Sequence, residues 1–210
     1  MPTFTTDWTQ HNIALWEKHL LPLKGKSNLH FLEVGSFEGR SACWFLQNVL
    51  TDPSAKLTCV DTFAGSREHI LHSGKMAKLE DTFDENIRSI GAEGKVEKRK
   101  GLSWEVLRGL PLNTYDAIYI DASHIVLDVM RDGVLAWDLL KVGGFFLFDD
   151  YALHLFKDER DDPRTAIDAF VLTFRGELDV VDIGWQVILR KKTRSPDYPN
   201  VVWAEDPPAA

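Results

Sequence analysis

The sequence has few cysteines, no excess of positive charge and no long hydrophobic run. Its two cysteines, Cys43 and Cys59, have apolar neighbours and no metal-ligand spacing, so we predict buried thiols and no disulfide. The 24 lysines and arginines are outnumbered by 32 aspartates and glutamates, and the resulting net charge of −8 disfavours binding to a nucleic-acid backbone. Small molecules are therefore the expected partners.

No apolar stretch approaches the roughly 20 residues that span a bilayer, and the N-terminus shows no signal-peptide pattern. We therefore expect a cytoplasmic protein without membrane contact. The chain has no linker, repeat or low-complexity tract, which predicts one main domain over residues 29–192. We expect a helical cap over residues 1–28 and an irregular, proline-containing tail over residues 193–210.

Short apolar runs alternate with amphipathic segments, which predicts a parallel sheet with helical crossovers. The predicted strands cover residues 29–34, 57–61, 95–100, 115–121, 145–148, 178–183 and 186–190. Predicted helices cover residues 8–21, 75–90, 104–110, 124–140 and 163–174, and another begins after Gly39. The last two strands flank a tight turn, so one of them must run antiparallel. We expect a Rossmann-like α/β fold, mostly parallel, with an antiparallel C-terminal hairpin strand and helices on both faces.

A glycine loop follows the first strand. Gly35 and Gly39 permit a sharp turn, and the free amides of the next helix point at whatever binds there. The spacing lacks the middle glycine with which dinucleotide enzymes approach a pyrophosphate, so a ligand without phosphates fits better. Asp61 ends the second strand 26 positions after Gly35, where a carboxylate can accept both hydroxyls of a ribose. Together these features indicate an adenosine-type ligand, although such a loop alone also precedes helices that bind nothing.

Three acidic residues end two later strands. Asp121 closes the fourth strand, and Asp149 and Asp150 close the fifth. Because open α/β sheets bind ligands at their carboxyl edge, these carboxylates are candidate ligands for a divalent cation, with Mg²⁺ as the best match. The alternative is structural, with Asp149-Asp150 as a solvated turn and Asp121 as a helix cap.

The sequence resembles the class I S-adenosylmethionine-dependent methyltransferases over roughly residues 30–191. The motifs FLEVGSFEGRS, CVDTF, YIDASH and LLKVGGFFLFDDY carry the likeness, which is closest to the macrocin-type O-methyltransferases with a metal site similar to that of catechol O-methyltransferases. The resemblance implies a seven-stranded sheet with a reversed strand, and S-adenosylmethionine as cofactor. It implies these cofactor-binding residues: Glu33, Gly35, Ser36 and Gly39 for the methionine portion, Ser41 on the nearest helix face, Asp61 and Thr62 at the ribose, Ser103 at the adenine, and Asp121.

On this resemblance we expect a Mg²⁺-dependent O-methyltransferase that acts on a hydroxyl of a small molecule, such as a sugar, a phenol or another secondary metabolite. Asp121, Asp149 and Asp150 would bind the metal, and His124 would act as the general base. A metal-independent methyltransferase that uses His124 alone, an NAD-dependent oxidoreductase and a non-catalytic nucleoside-binding module are the alternatives. The long polar segment of residues 63–74 is a candidate lid. The sequence leaves homo-oligomerisation open.

Overall fold

A computed structural model describes residues 1–65 and 77–193 of the chain. Its strands are β1 (His30–Val34), β2 (Lys56–Asp61), β3 (Val96–Lys100), β4 (Tyr115–Ile120), β5 (Leu140–Phe148), β6 (Leu178–Ile183) and β7 (Val187–Lys191). They form one seven-stranded sheet in the order β3-β2-β1-β4-β5-β7-β6. Neighbours among β1 to β5 are parallel, and β7 runs antiparallel to both β5 and β6. The predicted mostly parallel sheet with a reversed C-terminal hairpin strand is confirmed.

Helices cover both faces of this sheet. They are α1 (Ile13–Leu20), α2 (Arg40–Asn48), α3 (Leu79–Ser89), α4 (Ser103–Val106), α5 (Val126–Trp137) and α6 (Pro163–Thr173). The first three bury side chains such as Trp16, Phe45 and Phe83 in one core. The last two bury Trp137 and Phe170 in a second core. The prediction of helices on both faces is therefore confirmed.

The pattern of β1 explains its central place. Phe31 packs into the core beneath the first three helices, whereas Leu32 and Val34 pack into the core beneath α5 and α6. A strand covered on both faces needs a nearly continuous apolar run, which is what the sequence provides. Val34 pairs with Val60 and Ile120, and Ile120 pairs with Phe148. The four strands thus end level, and the residues that follow them meet at one edge.

The start of β5 differs from the sequence prediction. Gly143 and Gly144 are predicted to end a helix, but α5 ends at Trp137 and both glycines lie inside β5. A Cβ on Gly144 would lie 2.9 Å from the backbone oxygen of Asp116, closer than ordinary contact. Gly144 therefore permits close approach to β4, next to an irregularity in the β4–β5 register. Gly143 has open space around it and φ +83°, a left-handed conformation that favours glycine.

Two predicted segments fall largely outside the described residues. These are the candidate lid beyond Gly65, and the C-terminal tail from residue 194 onwards. Among the described helices, none combines the length and apolar character needed to cross a membrane.

Candidate functional site

A cavity of about 800 Å³ opens at the carboxyl edge of the sheet. This volume lies in the range of small-molecule and cofactor sites, roughly 300–1,000 Å³. The residues predicted from the sequence that line it are Gly35, Ser36, Ser41, Asp61, Thr62, Ser103, Asp121, His124, Asp149 and Asp150. Glu33 and Gly39 are predicted site residues that do not line it.

The glycine loop lies against the end of β4. Gly35 has φ +90°, and a Cβ built there would lie 1.9 Å from the backbone oxygen of Asp121. Gly39 has φ +79° and precedes the first turn of α2. Gly35 thus requires glycine, because a side chain there would collide with backbone that cannot move aside. At Gly39 the left-handed φ favours glycine, and a Cβ would lie 2.9 Å from the Phe83 ring. The backbone contact at Gly35 fixes the distance between the glycine loop and Asp121, which follows β4.

Asp61 ties together the loops that follow β1 and β2. Its Oδ2 accepts hydrogen bonds from the backbone amides of Ser36 and Phe37, at 2.8 Å each. Its Oδ1 accepts a 2.6 Å hydrogen bond from the amide of Phe63. A carboxylate offers about four lone-pair sites, so one remains for a ligand hydroxyl. Asp61, which is predicted to bind a ribose, therefore also fixes the conformation of the glycine loop.

Glu33 lies inside the sheet, beside the glycine loop rather than in the cavity. Its side chain is fully buried, and Oε2 accepts a 3.6 Å contact from the Cys59 thiol. Burial raises the pKa of Glu33 to about 7, and the nearby Ser36 and Ser41 hydroxyls oppose part of this rise. Because Glu33 is buried beside the glycine loop and does not line the cavity, its contact with the methionine portion of the cofactor stays a prediction.

Three predicted residues converge at the ends of β4 and β5. One ligand atom from each of Asp121, His124 and Asp150 lies within 4.8 Å of the other two. His124 Nε2 is 2.9 Å from Asp150 Oδ2. Asp150 has φ +60°, a left-handed conformation that Asp tolerates better than most residues. Two carboxylates and one imidazole at this spacing can hold a metal ion, or can hold and move a proton.

Asp149 is not part of this group, although the sequence predicts it as a metal ligand. Its Oδ2 accepts hydrogen bonds from Asn12 Nδ2, at 3.1 Å, and from the Tyr119 hydroxyl. Its Oδ1 accepts a 2.8 Å hydrogen bond from the amide of Asp150. These contacts orient the Asp149 carboxylate behind Asp121 and Asp150, and its role as a metal ligand stays a prediction.

The acidic residues of this edge repel one another. Burial first, then the negative charges of Asp149 and Asp150, raise the pKa of Asp121 well above its usual range. Burial and Asp150 raise the pKa of Asp149 to about 6. Burial is the larger cause of both pKa shifts, and repulsion between the carboxylates adds to it. A bound cation would relieve this repulsion, and hard carboxylate oxygens are the ligands that Mg²⁺ prefers.

The N-terminal segment, residues 3–12, forms a further wall of the cavity; it lies within the predicted helical cap, but none of its residues is a predicted site residue. The cavity-lining residues of this segment are Thr6, Trp8, Thr9 and His11. The Trp8 ring lies 5.2 Å from the ring of Phe37 in the glycine loop. The predicted helix over residues 8–21 begins as a 3₁₀ turn at Gln10 and becomes α-helical only at Ile13.

Two charged residues of the glycine loop region hold this segment. Glu38 accepts hydrogen bonds from the amide and the hydroxyl of Thr5, at 2.7 Å each. Arg40 forms a 2.7 Å ion pair with Asp7 and donates to the Thr9 hydroxyl at 3.0 Å. Glu38 and Arg40 are charged residues between β1 and α2, two elements that are largely buried. This is the sequence signal that could have indicated that residues 3–12 cover the glycine loop.

Comparison with known proteins agrees with this architecture. A family model described as a methyltransferase domain matches residues 32–151, more than half of the chain. Uncharacterized protein R132 of Acanthamoeba polyphaga mimivirus is 26% identical over 132 residues, which are 60% of this chain and 53% of that protein. The chain thus spans about half the length of this relative.

Solved structures share the fold at low identity. The O-methyltransferase TomG of Streptomyces achromogenes, involved in tomaymycin synthesis and solved with S-adenosylmethionine, has a TM-score of 0.65 and 16% identity, over 92% of this chain and 84% of that one. An O-methyltransferase of Bacillus cereus, solved with S-adenosylhomocysteine, has a TM-score of 0.63 and 17% identity, over 90% of this chain and 84% of that one. With the family model matched across β1 to β5, the chain belongs to the methyltransferase domain family, as a member of the class I S-adenosylmethionine-dependent methyltransferases.

Proposed function

We propose that this protein transfers the methyl group of S-adenosylmethionine to a hydroxyl oxygen of a small molecule, and that the reaction uses Mg²⁺ held by Asp121 and Asp150. The observation that carries the proposal is the convergence of Asp121, His124 and Asp150 within 4.8 Å, in the cavity that the glycine loop also lines. A cofactor site and a proton-accepting, cation-binding group therefore share one space.

The chain's residues fit this cofactor. The glycine loop turns at Gly35 without a side chain, and Asp61 keeps carboxylate oxygen at the end of β2. Both suit a ligand that has a ribose and lacks phosphates. When bound, S-adenosylmethionine supplies a methyl group on a positively charged sulfur, and Mg²⁺ supplies positive charge that favours the ionised acceptor hydroxyl.

His124 is the residue that we assign to the proton. Its imidazole lies 2.9 Å from the Asp150 carboxylate, which fixes the orientation of the ring. A neighbouring carboxylate also favours the protonated imidazole that forms when the hydroxyl proton is taken. Histidine is the side chain that enzymes most often use as a general base. Asp121 and Asp150 then orient the acceptor through the cation that they hold.

Apolar and aromatic side chains in the cavity wall favour a small acceptor. The exposed rings of Trp8 and Trp185 and the side chains of Leu153 and Leu155 line the cavity. The solved structures with the same fold include two named O-methyltransferases, which favours oxygen as the acceptor atom. A sugar hydroxyl or a phenol would meet these requirements.

Turnover after metal removal tests the proposal. Protein stripped with EDTA is assayed for S-adenosylhomocysteine release over a panel of phenols and sugars, with and without added Mg²⁺. We expect activity only with Mg²⁺, and its loss in Asp121→Asn and Asp150→Asn, because these groups act mainly in the transition state. Asp150→Asn should retain cofactor affinity, whereas Asp121 is also a predicted cofactor-binding residue.

His124→Ala and Asp116→Asn complete the set of variants. His124→Ala should lower turnover by roughly 10²–10⁴-fold while Mg²⁺ still binds, as expected for loss of a general base. Asp116→Asn, at the other end of β4 and ion-paired with Lys141, should leave both readouts unchanged. Full activity in EDTA would instead establish the metal-independent alternative, and no methyl transfer to any acceptor would favour a binding module.

A further inference from the structure

A chain of buried hydrogen bonds reaches the acidic group from the interior of the protein. Trp16 on α1 donates from Nε1 to Gln186 Oε1 at 2.9 Å. Gln186, in the turn between β6 and β7, donates from Nε2 to the Tyr119 hydroxyl at 3.5 Å. Tyr119, on β4, donates to Asp121 Oδ2 at 2.9 Å and also contacts Asp149 Oδ2. The first three residues of this chain are at most 2% exposed, so their hydrogen bonds are shielded from water.

The chain has a fixed direction, because its first member can only donate. An indole N–H offers no acceptor, so Gln186 turns its carbonyl oxygen to Trp16 and its amide nitrogen to Tyr119. The Tyr119 oxygen thus accepts from Gln186 and points its single proton at the carboxylates. Edge-on contacts with Trp16 and Phe45, at centroid distances of 5.4 and 5.7 Å, hold the Tyr119 ring. The hydroxyl is therefore a donor at a fixed place behind the acidic group.

Asn12 approaches the acidic group from the N-terminal segment. It is 1% exposed, and its Nδ2 lies 3.1 Å from Asp149 Oδ2 and 3.4 Å from Asp149 Oδ1. Asp149 Oδ1 also accepts the amide of Asp150 at 2.8 Å. Donors from the N-terminal segment, from β4 and from the next residue thus hold the Asp149 carboxylate. Its orientation in turn affects the backbone from which Asp150 projects.

The two common divalent cations differ in how much rigidity they require of such carboxylates. Mg²⁺ requires nearly ideal octahedral geometry with oxygen distances of about 2.0–2.1 Å, whereas Ca²⁺ accepts flexible geometry at about 2.3–2.6 Å. Carboxylates that buried donors hold in place can meet the first requirement. Carboxylates that are free to rotate should lose more affinity for Mg²⁺ than for Ca²⁺. A carboxylate has about four lone-pair sites, so Asp121 can accept from Tyr119 and still bind a cation.

We infer that Tyr119 and Asn12 are positioning residues that fix the orientations of the Asp121 and Asp149 carboxylates, and that they thereby give the cation site a preference for Mg²⁺ over Ca²⁺. The inference rests on the proposed function, because it concerns the cation of that reaction. Donors of this kind contribute about 10- to 100-fold in metal affinity. Asn12 belongs to the N-terminal segment that lines the cavity, so one side chain joins this wall to the cation site.

Displacement of Mn²⁺ tests the inference without an acceptor or turnover. Mn²⁺ is bound to the full-length protein, and free Mn²⁺ is followed by electron paramagnetic resonance while Mg²⁺ or Ca²⁺ is added. In the wild type we expect Mg²⁺ to displace Mn²⁺ at a lower concentration than Ca²⁺ does. Tyr119→Phe keeps the ring and loses the donor, so its Mg²⁺ affinity should fall by about 10- to 100-fold. Its Ca²⁺ affinity should fall less, so that the ratio of the two affinities falls at least about threefold.

A second variant and two matched controls accompany Tyr119→Phe. Asn12→Ala should lower the same affinity ratio, and it carries the test if Tyr119→Phe does not fold. Tyr115→Phe removes the hydroxyl of another buried tyrosine, at the opposite end of β4, and should change neither affinity. Gln10→Ala, at an exposed position in the same 3₁₀ turn as Asn12, should also change neither. Calorimetry should show that Tyr119→Phe and Asn12→Ala still bind S-adenosylhomocysteine, which separates loss of positioning from loss of the fold.

The two proposals fail differently. If the wild type binds S-adenosylhomocysteine but no Mn²⁺, the metal-dependent reaction is wrong and this inference falls with it. If the wild type binds Mn²⁺ and prefers Mg²⁺, but Tyr119→Phe and Asn12→Ala keep the same affinity ratio, the proposed function stands and the positioning role is wrong. Equal loss of Mg²⁺ and Ca²⁺ affinity in both variants, or a wild type without preference for Mg²⁺, would likewise overturn the inference.

Discussion

Three residues other than glycine at the site have a left-handed backbone. Phe37, Phe63 and Asp150 have φ +47°, +52° and +60°. Such conformations cost energy for bulky side chains and cluster at functional sites. Asp61 offsets part of this cost, because it accepts the backbone amides of both phenylalanines. The backbone at these positions is therefore held by side-chain hydrogen bonds, which leave no pattern in the local sequence.

A pair of substitutions at Asp150 separates backbone strain from charge. Asn keeps the tolerance for left-handed φ, whereas Ala loses it at a cost of about 1–2 kcal/mol. We expect Asp150→Ala to have a free energy of unfolding about 1 kcal/mol lower than that of Asp150→Asn, although both remove the same charge. Urea denaturation of the two variants measures the difference. Equal stabilities would mean that the left-handed conformation of Asp150 is not retained in solution.

The raised pKa of the buried Asp132 side chain leads to a second prediction, which concerns how the free energy of unfolding depends on pH. Its pKa is raised to about 7 in the folded state, against about 3.9 in an unfolded chain. A raised carboxyl pKa means that the folded state binds the proton more tightly, so its contribution to stability is lost as pH rises from about 4 to 7. Asp132→Asn removes this titration.

The stabilising effect of Asp132→Asn should therefore be about 2 kcal/mol greater at pH 8 than at pH 5. Urea denaturation at both pH values, with Asp138→Asn as the matched exposed control, provides the measurement. A stability difference between Asp132→Asn and wild type that is the same at pH 5 and pH 8 would show that Asp132 titrates normally.

At the scale of elements, the sequence is most informative where burial leaves a local signature. β1 and β4 are buried on both faces, so their apolar runs mark them. Because these strands are parallel and end level, residues just after them are brought together, which is why Asp121 and Asp150 could be placed from sequence. Asp149 also reaches this edge, but its carboxylate is oriented by Asn12, 137 positions away, which no local pattern shows.

The contacts of the N-terminal segment are also long-range, so the sequence predicts a cap but not the side chains that hold it. Its contacts are with Glu38 and Asn86, 33 and 83 positions away from their partners. Asn86 accepts the amide of Thr3 at 2.8 Å and donates to the backbone oxygens of Thr3 and Glu38 at 3.0 and 2.9 Å. One side chain on α3 thus joins the N-terminal segment to the glycine loop, and no periodicity in the sequence records this.

Substitution of Asn86 tests that junction. Asn86→Ala removes three hydrogen bonds, each with a net value of about 0.5–1.5 kcal/mol, so we expect a loss of about 2 kcal/mol in the free energy of unfolding. Hydrogen exchange of residues 3–12 should also become faster. Glu85→Ala, an exposed change on the same helix, is the control and should alter neither. Unchanged exchange in Asn86→Ala would show that the segment is held by other contacts.

At the scale of the whole molecule, charge distinguishes the candidate cofactors. The chain carries a net charge of −8, and its cavity contains a repelling group of carboxylates. Such a field attracts a positively charged sulfonium cofactor and a divalent cation, and disfavours the pyrophosphate of a dinucleotide. The missing middle glycine in the loop argues in the same direction. The stability of the protein in the presence of each candidate cofactor should therefore show which one binds.

S-Adenosylhomocysteine at 100 times its dissociation constant should stabilise the folded protein by about 2.7 kcal/mol, which raises the melting temperature of a chain of this size by about 5–10 °C. NAD at the same concentration should produce no shift, because the loop lacks the middle glycine with which dinucleotide enzymes approach a pyrophosphate. Asp61→Ala should abolish the shift and lower the starting melting temperature, since the amides of Ser36, Phe37 and Phe63 lose their acceptor. Asp138→Ala, at an exposed site, should keep the full shift. If the melting temperature of Asp61→Ala rose as much as that of the wild type, Asp61 would not bind the cofactor. Its role would then be limited to holding the loops that follow β1 and β2.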